Sequence, residues 1–245
     1  MDPIEAAAAS GDAISGLASH FMLDMATYGR GGELGYEGLD FYIAGRGGVL
    51  GDVPAGVVAA ALVFFEPATV TAAWERTAGL LPRLEAGAEF AAIGHRWAEA
   101  TLPDDLDLAR LAELAGKLVA GASPAGAPLF AGWRALPEPD ADRPKALALH
   151  RMNALRELRG ALHGAAVLAQ GIDLHAAVAF RSPVMTGIFG WAEPHPDGAA
   201  VKERWKEAQA GTERAMAPTF EALSAADRAE FVTLANAAQA AVTGG

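Results

Sequence analysis

Apolar residues recur three and four positions apart along most of this chain, and no strict apolar–polar alternation lasts beyond about four residues. That pattern predicts an all-α fold, a multi-helix orthogonal bundle in which any sheet is minor. Residues 14–28 read as a first helix, ending at Gly29, Gly31 and Gly32. Residues 36–44 (YEGLDFYIA) read as a second, stopped by Gly45-Arg46-Gly47-Gly48. Residues 54–65 follow as a buried helix with proline in its first turn. Glu66-Pro67 breaks it, and helices over 68–80 and 81–100 come next. Residues 104–119 are amphipathic, with acids in the first turn where the helix dipole prefers them.

Residues 121–144 concentrate Gly and Pro and read as a long connection, with Phe130 and Trp133 expected to tuck against the body. The chain therefore divides into an N-terminal helical region (1–120), this connection, and a C-terminal helical region (145–245) packed on the first as one unit. The C-terminal part holds a helix over 150–177, a looser stretch over 181–198, and helices over 199–217 and 224–242. Ser224 with Asp227 approximates a capping box for the last of these.

The helix over 150–177 carries the strongest chemical pattern. At roughly 100° per residue, Arg156, Arg159, His163 and Gln170 share about a 60° sector, apart from the apolar seam of Leu155, Leu158, Leu162, Ala165 and Ala169. Two guanidiniums and an imidazole on one face can hold an anion or a carbonyl-bearing ligand. The plainer alternative pairs the arginines with carboxylates and makes His163 a satisfied core histidine. Gly160 favours a site, because an interior helical glycine costs about 1 kcal/mol unless something must approach closely. The Gly45–Gly51 segment, with Arg46, reads as a turn able to present N–H groups to an anion, or as a tight turn with Arg46 paired to a carboxylate such as Asp40. Tyr42, Phe65 and Trp97 are candidates for an apolar pocket lining beside the stripe, although aromatics at such spacings most simply form core.

Charge and composition narrow the partners. The net charge of −11 argues against nucleic acid, whose phosphates call for surplus Lys and Arg. Absence of cysteine excludes thiol catalysis, thiolate metal sites and disulfides. The six histidines lack the His-x-x-x-His helical spacing, so no metal ligand set is assigned, and nothing identifies a cofactor; haem and metal stay open. There is no Gly-x-Ser-x-Gly elbow, Walker motif or dinucleotide fingerprint. The N-terminus lacks a secretory pattern and the apolar run 57–65 is too short to span a bilayer, so a soluble, cytoplasmic protein without a membrane partner is expected. Ala-rich seams over 104–119 and 224–242 leave room for a homodimer.

Two stretches carry a resemblance. LDFYIAGRGGVLGDVPAGVVAAALVFFEPATV (39–70) is similar to the Tyr-Phe-Ala-Gly-Arg-x-x-Pro-Leu-Gly signature of an actinobacterial helix-turn-helix-like family. RELRGALHGAAVLAQGIDLHA (156–176) resembles its Arg-Glu-x-Arg-Gly-x-x-His motif, and with the C-terminal tail the similarity covers roughly residues 10–240. Matching positions are Tyr42, Ala44, Gly45, Arg46, Leu50 and Gly51, then Arg156, Glu157, Arg159, Gly160 and His163. Val49 stands where the family has proline, and Leu158 and Ala161 replace the His and Asp flanking its Arg-Gly pair. Some members sit in antibiotic gene clusters. The resemblance implies a regulator-like helical scaffold with a winged-helix-like segment, which is shortened here to 189–211 and hence degenerate.

Three functions remain open on these residues. One is a protein binding a small hydrophobic or anionic ligand between the Gly45–Gly51 turn and the Arg/His helix. A second is an enzyme with His163 as general acid or base and an arginine stabilising an oxyanion. The third is a DNA-binding regulator, disfavoured by charge and the short wing region.

Overall fold

The computed structural model describes residues 1–244, and among them every regular element is helical. In chain order these are α1 (Pro3–Ala9), α2 (Gly11–Met22), α3 (Met25–Glu33), α4 (Asp40–Gly48), α5 (Ala55–Ala61), α6 (Pro67–Arg76) and α7 (Arg83–Thr101). There follow α8 (Leu108–Gly121), α9 (Pro128–Ala135), α10 (Pro144–Ala169), α11 (Leu174–Arg181), α12 (Lys202–Phe220) and α13 (Ala225–Thr243). Two 3₁₀ turns, Pro183–Met185 and Gly198–Val201, occupy the interval between α11 and α12, and no strand forms a wing among the described residues. None of the helices is long and apolar enough to cross a membrane.

The organising element is α10, 26 residues and therefore about 39 Å long. It packs against α2, α7, α8, α9 and α12. Its N-terminal two-thirds bury Leu147, Leu149, Met152, Leu155 and Leu158 in the main core with Phe21, Phe41, Phe90 and Phe130. The seam anticipated from the sequence holds at Leu155 and Leu158, but Ala165 and Ala169 lie exposed. Near its C-terminal end Val167 joins a smaller cluster with Ile172, Ala177, Trp205 and Ala208, packed by Phe64 and Phe180.

Several boundaries differ from the sequence expectation, each for a local reason. The helix expected over 14–28 breaks at Leu23, because the Asp24 carboxylate accepts from Ala26 N at 2.8 Å and starts α3. The helix expected over 150–177 starts earlier, at Pro144, and stops at Ala169. Gly171 takes φ +61°, which favours glycine, and Asp173 caps α11 through Ala176 N at 3.0 Å. Within 121–144, α9 forms with proline at its first turn and buries Phe130 and Trp133. Ser224 caps α13 as expected, its hydroxyl accepting from Asp227 N at 3.1 Å.

The expected turn at Gly45–Gly51 is corrected: α4 runs through Gly45, Arg46 and Gly47 to Gly48, and the chain turns only at Gly51, with φ +74°. The glycines serve close packing between α4 and α7. A Cβ on Gly45 would lie 2.5 Å from the Phe90 ring, and one on Gly48 would collide with the Arg83 carbonyl oxygen and the Gly87 nitrogen. Backbone atoms cannot rotate away as a side chain can, so the two helices would have to part. Gly48→Ala is therefore expected to destabilise the fold by about 3 kcal/mol or more, measured by urea unfolding; a loss below about 1 kcal/mol would mean that α4 and α7 separate easily.

Candidate functional site

Between α4, α10 and the residues after α5 lies a cleft of about 210 Å³. It exists because α5 ends early: Leu62 has φ −92° and ψ 50°, and the backbone leaves the helix at Ala61 rather than continuing to Phe65. Residues 61–65 then run across the cleft as a wall. Glu66 N donates to the Phe189 carbonyl at 2.9 Å and the Trp191 indole donates to the Phe64 carbonyl at 2.9 Å, which ties this wall to the loop following α11. Phe189 reaches the cleft and lies 4.3 Å from the Phe65 ring centroid.

Glu157 of α10 is 2% exposed and sits between two guanidiniums. Arg46 engages it in a fork, Nε to Oε1 at 3.1 Å and Nη2 to Oε2 at 2.7 Å. Arg156 Nη1 donates to Oε1 at 2.8 Å. Arg46 Nη1 donates to the Tyr42 hydroxyl at 2.8 Å, so the buried arginine is satisfied from both sides. Burial alone would raise the Glu157 pKa; the facing charges of Arg46 and Arg156 outweigh it and hold the carboxyl below its usual range. Burial likewise works against the Arg46 charge, and Glu157 reverses that, leaving its pKa above the normal value.

Arg159 is differently placed. Its Nη1 donates to Ser15 Oγ at 3.0 Å and its Nη2 to Gln209 Oε1 at 3.4 Å, both neutral acceptors. No carboxylate among the described residues comes within 4.0 Å of it. Burial lowers its pKa, with Asp12 and Glu213 acting in the opposite direction from further off. Arg156 Nε also donates to the Ser15 carbonyl, at 3.3 Å. Three guanidiniums thus border the cleft beside a single carboxylate, an excess of two positive charges.

His163 borders the cleft one turn beyond Arg159. Its ring stands between Phe64 (centroids 5.6 Å apart) and the edge of Trp205 (4.9 Å). The Thr212 hydroxyl gives its proton to the Ala208 carbonyl at 2.8 Å, so it accepts from His163 Nδ1–H at 2.9 Å. Nε2 is left as an acceptor with no hydrogen bond from the described residues. Burial, then Arg159 and Arg181, lower the His163 pKa to about 4. A neutral imidazole oriented by a threonine is a poor proton carrier near pH 7.

Of the residues singled out in the sequence, Tyr42, Arg46, Phe65, Arg156, Arg159 and His163 all border the one cleft. Trp97 does not: it stacks against His20 at 6.3 Å and faces a separate groove beside Thr27 and Arg96. Asp40 pairs with Arg76, at 2.5 Å, rather than with Arg46. Glu157 lies off the His163 sector of α10, yet it is the carboxylate that engages two of the arginines. Ser15 and Phe189 carry no periodic signal and reach the cleft only through tertiary packing. His163 and His175 fall on separate helices, and no three His, Asp or Glu side chains among the described residues converge as a metal site.

A helix-turn-helix family model matches residues 7–245, nearly the whole chain, and the protein belongs to that family. No curated protein and no solved structure matches it.

Two outcomes follow from the buried charges. Glu157→Gln would leave the enclosed Arg46 without its counter-charge, costing about 3–5 kcal/mol in chemical unfolding; an unchanged midpoint would show that Arg46 finds another partner. Burial also lowers His95 and His150, which contact each other at 3.1 Å, to about 4. Between pH 4 and the ordinary histidine value of about 6.5, the unfolded chain binds more protons than the folded one, so stability falls as pH drops through that window. Unfolding at pH 7.5 and 5 is expected to differ by a few kcal/mol, with the difference reduced in His163→Gln.

Proposed function

We propose that the cleft binds a small ligand with an anionic or carbonyl group on a hydrophobic body. The observation that carries this reading is Arg159, a mostly buried cation against neutral acceptors at the wall of a recess that also presents Leu62, Phe65, Leu129 and Phe189. A buried charge without a counter-ion is costly, and a ligand carboxylate would relieve that cost. Gly160 supports it as well: it borders the cleft at an exposed position where a Cβ would meet nothing within 4 Å, so this helix-weakening glycine makes no room for another part of the protein. The neutral His163, oriented by Thr212 and not by an acid, favours binding over general-base catalysis.

Family membership favours a second reading, nucleic-acid binding. Charge weighs against it in the C-terminal part. Arg181, Lys202, Arg204, Lys206 and Arg214 are matched there by Asp173, Glu193, Asp197, Glu203, Glu207 and Glu213, leaving no basic stripe. A gel shift with duplex DNA that weakens steeply between 50 and 200 mM salt would establish this reading.

Native mass spectrometry of the purified protein tests the binding reading, followed by calorimetric titration with octanoate, benzoate and the corresponding alcohols. An acid is expected to bind at least tenfold more tightly than its alcohol, a difference that Arg159→Gln removes while leaving the unliganded fold as stable or more so. Absence of a co-purified molecule, with acids binding no better than alcohols, would sink it.

A further inference from the structure

We infer that the ligand is a single-ring phenolic carboxylate, its carboxylate on Arg159 and Arg156 and its hydroxyl on His163; this rests on the binding reading above. The carboxylate end follows from what is already engaged. Glu157 occupies the fork of Arg46 and one Nη of Arg156. Arg156 and Arg159 both turn to Ser15, one to its carbonyl and the other to its hydroxyl. Ser15 Oγ sends its own proton to the Gly11 carbonyl at 2.8 Å, so it offers no donor that would compete for the anion. Two guanidiniums meet around one serine, and Glu157 engages only Arg156 of the two, which leaves a place for one further carboxylate.

The body of the ligand follows from the walls and the size. Leu62, Phe65, Leu129, Ala161 and Phe189 make the lining apolar, and three aromatic rings lie in a row, Tyr42 to Phe65 at 5.5 Å and Phe65 to Phe189 at 4.3 Å. Such faces favour a planar ring. A cavity of about 150 Å³ takes benzene; about 210 Å³ adds room for ring substituents and little more. A fused bicycle or a long acyl chain would project from it.

The far end is set by His163. Its Nδ1 is taken by Thr212, which leaves Nε2 as an acceptor with no donor among the described residues, on a side chain that borders the cleft one helical turn beyond Arg159. One turn is about 5.4 Å, comparable with the span of a benzene ring and its substituents. A ring hydroxyl opposite the carboxylate would donate to it. Gly160 lies between these two anchors on the same face, and its open Cβ position is where the ring would pass.

Calorimetry on the full chain with 4-hydroxybenzoate, benzoate, 4-hydroxybenzyl alcohol and octanoate tests the assignment. 4-Hydroxybenzoate is expected to bind at least tenfold more tightly than the other three. His163→Phe should bring it down to benzoate, and Arg159→Gln should bring it down to the alcohol. Gly160→Ala is expected to weaken binding at least fivefold while raising the melting temperature, an opposition that a merely structural glycine would not show. Benzoate equal to 4-hydroxybenzoate, or Gly160→Ala without effect on affinity, overturns the assignment. Octanoate binding best, in an Arg159-dependent way, overturns the ligand class and leaves the binding reading standing. If no acid outbinds its alcohol, both fall.

Discussion

Glu157 is the point on which the site depends. A carboxylate enclosed in the protein must be matched, since an unpaired buried ion costs several kcal/mol. Arg46 matches it from a helix more than a hundred residues away in sequence, and that fork registers α4 against α10. Arg156 takes the remaining lone pair of Oε1. With Glu157 so occupied, Arg159 has no carboxylate in direct contact among the described residues, only Asp12 and Glu213 further off. The same interaction therefore locks the scaffold and leaves the neighbouring cation free for something else.

The cleft has a second origin in backbone geometry. α4 and α7 approach until only glycine fits at Gly45 and Gly48, which draws Tyr42 and Arg46 in towards α10. α5 ends at Ala61, and the unwound residues cross in front of α10 with the Phe64 carbonyl and the Glu66 N–H bonded to the loop holding Phe189 and Trp191. A full helix through Phe65 would have presented a different set of side chains. The hollow thus arises from one helix pair packed too closely for side chains and another helix stopped short.

The cleft is tied to the C-terminal helices of this helix-turn-helix family member as well as to α10. α10 carries Arg156, Glu157, Arg159 and His163, and its C-terminal end leads through Gly171 into α11. His163 is bound to α12 through Thr212, and Arg159 to the same helix through Gln209. A ligand pressing on those two side chains would act on α12 directly. In a chain of net charge −11 the cleft stands out as a place where cations outnumber acids, three arginines beside Glu157.

Much of this was legible from the sequence. Helical periodicity identified the all-α class, because a 3.6-residue repeat is a property of the chain and survives any packing. It also placed Arg156, Arg159 and His163 together, since residues three and four apart share a helix face whatever lies opposite. Helix ends were less legible: Gly45–Gly48 reads as a stop by local propensity, yet tertiary contact with α7 keeps it helical and uses the glycines for space. What faced the stripe was decided only by folding. Which arginine Glu157 would engage, that Ser15 and Phe189 would arrive at the cleft while Trp97 would not, and that burial would hold His163 neutral all depend on neighbours distant in sequence. Desolvation and ion pairing are properties of the enclosed site, and no local pattern encodes them.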